Sequence, residues 1–252
     1  GLRERSEVGD QKNQKPGTRN HEPRTKNHEP RTKNQAPSTT NHEPNQKVRM
    51  LLTLPENSRI LMESFKSQER SQAKNRTRHG LSASLGGSAL LPDFYPIFCG
   101  NMRDLGSPVH SRSWFEAVFC SFGPRARCGL VRMPDGSPAA CGIILLHANT
   151  VSIPWASSLK RCNRFNPNML LYWTFLEHAA DSGYACFDFG RSTPGEGTHR
   201  FKAQWGAQEQ PLTWVRIQTR TGEVIPLENS SQGRLRTLVE ACFRRLPVPA
   251  AT

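Results

Sequence analysis

Residues 185–207, ACFDFGRSTPGEGTHRFKAQWGA, decide how the fold is read. Ala185 to Phe189 is a short apolar run around Asp188 that ends at a glycine, the pattern of a buried strand. The residues that follow are rich in Gly, Pro, Ser and Thr and form a loop. Beyond it Phe201 and Trp205 stand four apart, so they share one face of a short helix and pin it to the core. Arg200, Lys202 and Gln204 point elsewhere. A strand, a wide polar loop and a cationic helix make a cleft for an anionic ligand, and equally an ordinary connection with solvated charges.

Upstream, Leu54 to Leu61 opens a helix with Asn57 or Ser58 as its cap and Ile60, Leu61 and Phe65 on one face. Past Phe65 the chain turns basic, with Lys66, Arg70, Lys74, Arg76 and Arg78 able to track phosphates. Leu81 to Leu85 alternates as a strand, and apolar residues from Leu91 to Leu105 recur at helical spacing up to Gly106. Ser113 and Glu116 form a capping box for a second helix with Trp114, Val118, Phe119 and Phe122 as its buried stripe. Strands are expected over Arg127–Met133, Pro138–His147 and Val151–Trp155. A helix from Pro167 to Gly183 has Met169, Leu170, Trp173, Leu176 and Ala180 along one side. A final strand is expected over Leu212–Ile217, and Leu235, Leu238, Val239 and Cys242 mark a last helix. The succession β-α-α-β-β-β-α-β-α-β is α/β and resembles a single GNAT-like acyltransferase domain, a mixed central sheet flanked by helices.

From Asn13 to Lys47 the chain repeats every seven residues: NQKPGTR, NHEPRTK, NHEPRTK, NQAPSTT, NHEPNQK. Each unit carries a proline and none a large apolar residue, which excludes a coiled-coil seam and predicts a disordered tail. The domain reading is therefore a repeat tail over 1–48, a basic helix and linker over 49–80, the GNAT-like domain over 81–218, and a C-terminal hairpin and helix extension over 219–252. Net charge is +13, which attracts RNA or other anions. No apolar run is long enough to span a membrane, and no signal-peptide core is present, so the expected location is the cytoplasm or the inner face of the membrane. Seven cysteines without a C-x-x-C pair read as thiols, with no metal site.

Five ordered blocks carry a more specific likeness. They are Asn101-Met-Arg-Asp-Leu-Gly-Ser-Pro-Val-His, Pro154-Trp-Ala-Ser-Ser-Leu-Lys-Arg, Pro167-Asn-Met-Leu-Leu-Tyr-Trp, Phe187-Asp-Phe-Gly-Arg-Ser-Thr and Gly197-Thr-His-Arg-Phe-Lys-Ala-Gln-Trp-Gly. Together they resemble the FemAB-related proteins associated with exosortase (PEP-CTERM) systems, over about Leu54 to Val215. The resemblance implies tandem GNAT-like domains that move an acyl or aminoacyl group to an amine of a cell-envelope or exopolysaccharide-related substrate. It implies no tightly bound cofactor, and a donor that is acyl-CoA or aminoacyl-tRNA. The sequence before Leu54 has no room for a first such domain, so an inactive truncated remnant is one alternative and a non-catalytic RNA- or anion-binding module another.

Within that likeness Phe201-Lys202 corresponds to a pair near the transferred group. Lys202 is the expected catalytic cation, with Arg191 a second cation across the loop and Asp188 a candidate proton acceptor or a plain solvent-facing strand residue. Asp188-Phe-Gly lacks every other kinase element, so that reading is rejected. The loop Ala156–Asn166 contains no glycine to wrap a pyrophosphate, which shifts the phosphate contacts to Lys160, Arg161 and Arg164 and favours aminoacyl-tRNA or another phosphate-bearing ligand over CoA. Trp155, Ser157, Ser158, Phe201 and Trp205 complete the expected substrate-binding set, although Trp155 and Trp205 fit a core equally well. No Ser-His-Asp or Cys-His arrangement stands out among His110, His147, His178 and His199.

Overall fold

The computed structural model describes residues 47–67, 70, 80–213, 216–225 and 234–245. The repeats up to Gln46, expected to be disordered, and the basic positions Lys74, Arg76 and Arg78 lie outside the described residues.

The described residues open with a strand where the sequence reading places only a basic helix and linker. Strand β1 spans Val48–Thr53, with Val48, Met50 and Leu52 buried on alternate positions. Helix α1, Ser58–Ser64, is capped by Asn57, whose side chain accepts from the Ile60 N–H. Leu61 and Phe65, one turn apart, are buried, whereas Ile60 is 39% exposed and leaves the expected face. Strand β2 covers Ser82–Gly86 and helix α2 covers Leu91–Leu105, closed by Gly106 in the left-handed conformation. Helix α3, Arg112–Phe122, starts earlier than expected because Ser111, not Ser113, accepts from the Trp114 N–H. Its buried residues are Phe115 and Phe119, and Trp114 is 49% exposed.

Strands β3 (Ala126–Arg132), β4 (Pro138–His147), β5 (Thr150–Ser158), β6 (Cys186–Ser192) and β7 (Gln208–Pro211) complete one sheet in the order β2-β3-β4-β5-β6-β1-β7. Every neighbouring pair is antiparallel except β5 and β6, which are joined through helix α4, Pro167–Asp181. Helix α5, Gly197–Gln204, follows β6. Of the strand expected over Leu212–Ile217, Leu212 and Thr213 lie in no strand, Trp214 and Val215 lie outside the described residues, and only Arg216–Ile217 is extended and paired. Strand β7 ends at Pro211, and β8 (Arg216–Ile217) pairs with β9 (Val224–Ile225) in a separate ribbon before helix α6, Arg234–Arg245.

One core packs α4 against the sheet. The helix is buried nearly all round rather than along one side, because Leu171, Tyr172 and Phe175 are enclosed as fully as Leu170, Trp173 and Leu176. Phe175 fits only because β3 and β4 present glycines beneath it. A Cβ would stand 2.5 Å from its ring at Gly129 and 2.9 Å at Gly142. On the opposite face α2 and α3 hold an aromatic cluster in which the Phe115 ring lies 5.0 Å from Phe94 and 5.1 Å from Phe98. All seven cysteines are free thiols. Among the described residues no helix is long and apolar enough to cross a membrane.

Candidate active site

The site begins where the parallel strands stop pairing. The β5–β6 ladder holds Thr150, Ser152 and the residue between them against Cys186–Asp188, and no pair follows. Pro154 comes two residues later; it has no N–H to give, so it cannot extend a ladder. The β4–β5 register also shifts at this level, between Ile143 and Leu145. On the other strand Gly190 has φ +75°, and the β1–β6 register shifts between Arg49 and Leu51. A residue with a Cβ is strained at that φ, which accounts for the glycine in Phe187-Asp-Phe-Gly. Both strands therefore break pattern at the same height and part.

A cleft of about 750 Å³ fills the gap. Ser152, Pro154 and Ala156 form one wall, Asp188 to Thr193 the other, and Tyr172, Lys202, Glu196 and Lys47 close it. Burial pushes the Tyr172 hydroxyl far above the ordinary phenol range, so it stays protonated.

Three charged groups define the chemistry. Asp188 is only 7% exposed, and it is not the solvent-facing strand residue that was one reading of it. Its Oδ2 accepts from Arg49 Nε at 2.9 Å and Nη2 at 2.6 Å, and its Oδ1 accepts from the Gly190 N–H at 2.8 Å. The hydrogen bond from Arg49, with the carboxylate charge adding to it, holds the guanidinium further into its charged form against the cost of burial. Lys202 is 8% exposed, and its Nζ donates to the Arg191 carbonyl oxygen at 2.8 Å. Burial lowers its pKa from 10.5 to about 8, and the nearby Asp188 charge opposes that fall. Lys47, the last residue of the last repeat, reaches the Thr193 hydroxyl. The Ser192 hydroxyl is buried at the cleft wall without a hydrogen-bond partner among the described residues.

The expected catalytic residues Lys202, Asp188 and Arg191 all line this cleft. The expected substrate-binding residues do not gather there. Trp205 is fully buried against Phe65, ring centroids 5.4 Å apart, so it is core rather than a ligand contact. Phe201 packs edge-on to Tyr172 at 4.9 Å and pins α5 as the spacing predicts. Trp155 faces the other core, 5.3 Å from Phe115. Ser157 is buried and accepts from Asn101 Nδ2 at 3.1 Å, and the Ser158 hydroxyl accepts from Asn168 at 3.0 Å. Lys160, Arg161 and Arg164 are exposed on a 3-10 turn, Lys160–Phe165, that follows β5. They do not line the cleft. His199 Nε2 pairs with Glu209 Oε1 at 2.7 Å, outside the cleft lining.

Sequence reasoning missed Arg49, Lys47, Tyr172, Ser192 and Glu196. The alternation of Val48, Met50 and Leu52 was a usable strand signal for the first two. The pairing of Arg49 with Asp188 crosses 139 positions and has no local signature.

Comparison with known proteins bears on this geometry. Residues 64–203 match the family model described as an acetyltransferase (GNAT) domain. A crystal structure of FemX superposes with a TM-score of 0.58 at 14% identity, over 64% of this chain and 59% of that one. The C-terminal domain of a putative lysylphosphatidylglycerol synthetase from Agrobacterium fabrum aligns with a TM-score of 0.49 at 12% identity, over 65% of this chain and 58% of that one. The chain thus spans about three-fifths of the length of the structures it matches. No curated protein matches it.

Proposed function

We propose, from the premise that the chain belongs to the acetyltransferase (GNAT) domain family, that it transfers an acyl or aminoacyl group to an amine within the cleft between β5 and β6. The observation that carries this reading is a buried lysine, Lys202, set into the gap where two parallel strands part. A fixed, nearly dehydrated amine is a strong local dipole or charge for a carbonyl that becomes an oxyanion. Arg191, across the cleft wall, is the second cation.

The acceptor is an amine on a cell-envelope or exopolysaccharide-related precursor, as the five sequence blocks imply. The donor is acyl-CoA, the usual donor of the family, or aminoacyl-tRNA. The turn after β5 has no glycine between Ala156 and Asn166, so the donor's phosphates meet the side chains of Lys160, Arg161 and Arg164 rather than a backbone cradle. These three form an outer electrostatic rim, separate from the cleft.

The test supplies acetyl-CoA or aminoacyl-tRNA with an amine-bearing envelope precursor and follows the N-acylated product by mass spectrometry. Lys202→Met is expected to fold and to lose transfer at least about a hundredfold, some 2.7 kcal/mol in the barrier. Wild-type turnover in that variant would remove Lys202 from the site. Replacing Lys160, Arg161 and Arg164 together by Ala is expected to weaken donor binding and flatten its salt dependence, since each lost phosphate contact removes a released counterion. An unchanged slope would take the rim out of the reading.

A further inference from the structure

An amine acceptor arrives at neutral pH as an ammonium, and its nitrogen has no lone pair until a proton leaves. Some group at the cleft has to take that proton. The two carboxylates at hand are Asp188 and Glu196. Asp188 is committed, with Oδ2 accepting twice from Arg49 and Oδ1 accepting from Gly190. Glu196 is exposed on the loop before α5, where it stands at the rim. Lys202 is the buried alternative. Its Nζ makes one hydrogen bond, as donor to an uncharged carbonyl, and among the described residues it forms no ion pair. In the amine form that single bond leaves its lone pair open to the cleft.

We propose that Lys202 is the proton acceptor of the transfer step. The inference rests on the transfer reading above and assigns one of its proton movements. The acceptor ammonium gives a proton to the Lys202 amine, and the freed lone pair attacks the donor's acyl carbon. The C–N bond forms as the bond from that carbon to the donor's sulfur or oxygen breaks. The departing atom takes a second proton from the new nitrogen, the third stays on the amide, and Lys202 returns its own to solvent. The positive charge beside the developing oxyanion thus appears on Lys202 as the amine becomes able to attack.

The surroundings suit an amine that changes charge. Burial favours the neutral form and brings the pKa to about 8, while Asp188 draws the group back toward the cation. Arg49 in turn offsets Asp188. Arg191 and Lys47 add positive charge along the cleft, Glu196 adds negative charge, and Tyr172 stays a neutral phenol.

The experiment is a pH titration of the full chain labelled with [15N]lysine, following side-chain nitrogen shifts, with Lys202→Arg identifying the Lys202 signal. A midpoint near 8 for the signal that disappears in the variant supports the proposal. A midpoint above 10 overturns it whichever donor the protein uses, and leaves the transfer reading standing. With acetyl-CoA and an amine acceptor, wild-type kcat/KM is expected to rise through pH 8. Lys202→Arg, which keeps the charge and cannot shed its proton, is expected to lose that rise and about a hundredfold in kcat. Glu196→Gln is expected to keep the rise through pH 8, whatever its effect on kcat. A pH profile that survives Lys202→Arg and vanishes in Glu196→Gln would move the role to the rim carboxylate.

Discussion

The two faces of the sheet bury ionisable groups to opposite effect. Under α2 and α3, Cys128 is pushed up to about 12 and Cys141 well above its ordinary value, both mainly by burial. On the cleft side burial moves Lys202 the other way, down to about 8. The cause is the same: a poorly hydrated environment disfavours whichever form is charged. For a thiol the neutral form is the inert one, and for a lysine it is the nucleophile and base. Burial thus holds the thiols of one region protonated and shifts Lys202 in the other toward its neutral amine, with aromatic packing in both.

If that contrast is right, the apolar face carries the fold. Phe115→Ala, which empties the centre of the Phe94–Phe98–Trp155 cluster, is expected to cost about 3–5 kcal/mol in urea unfolding. A loss below about 1 kcal/mol would break the comparison at its first term.

The cleft should show the reverse dependence. The folded-state pKa of Lys202 lies below its unfolded value, so the unfolded chain binds the extra proton between about pH 8 and 10.5. The cost of burying the ammonium is fully present below pH 8 and is relieved as pH rises. Relative to Lys202→Met, the wild type is therefore expected to gain about 3 kcal/mol between pH 7 and 10.5, at 1.36 kcal/mol per unit. Parallel stability curves for the two proteins would show that Lys202 titrates as a solvated lysine.

Arg49→Ala sharpens the same point with a smaller effect. Because Arg49 is 40% exposed, solvent screens the ion pair, and the expected loss of stability is only about 1 kcal/mol. Its more telling consequence is electrostatic: Asp188 left without its partner should raise the Lys202 midpoint, readable in the nitrogen titration. A midpoint that stays put would uncouple the two charges.

The last test changes no stability at all. Cys120 and Cys242 are exposed and should react promptly with a thiol reagent at pH 8, whereas Cys128 and Cys141 should react only on unfolding. Prompt labelling of Cys128 would show that the apolar face opens.

Much of this was legible in the chain, and the reason lies in the range of the forces involved. Helices α2 and α4, strands β3 to β6 and the pinning of α5 by Phe201 and Trp205 follow from apolar spacing and turn residues a few positions apart. Lys202 was singled out by the family likeness of the Phe201-Lys202 pair, with the pinning of the helix by Phe201 and Trp205 as a second, weaker ground. Finer placements failed where two local signals competed. Ser111 rather than Ser113 caps α3, and Phe115 rather than Trp114 enters the core, because the aromatic cluster under α2 receives that face.

The sequence by itself determined the mixed α/β fold and the succession of elements from β2 to α5, since period, capping and breaker residues act over one or two turns, while the candidates Lys202, Asp188 and Arg191 were drawn from the family likeness together with their place around one loop. Only the tertiary structure decided that β1 inserts between β6 and β7, that Arg49 takes up the Asp188 carboxylate, and that Trp205 and Trp155 are enclosed. Strand pairing and burial depend on what the rest of the chain places alongside, and here the partners stand more than a hundred positions apart. The lowered pKa of Lys202 belongs to that second group, because desolvation is a property of the assembled surroundings and not of the residue.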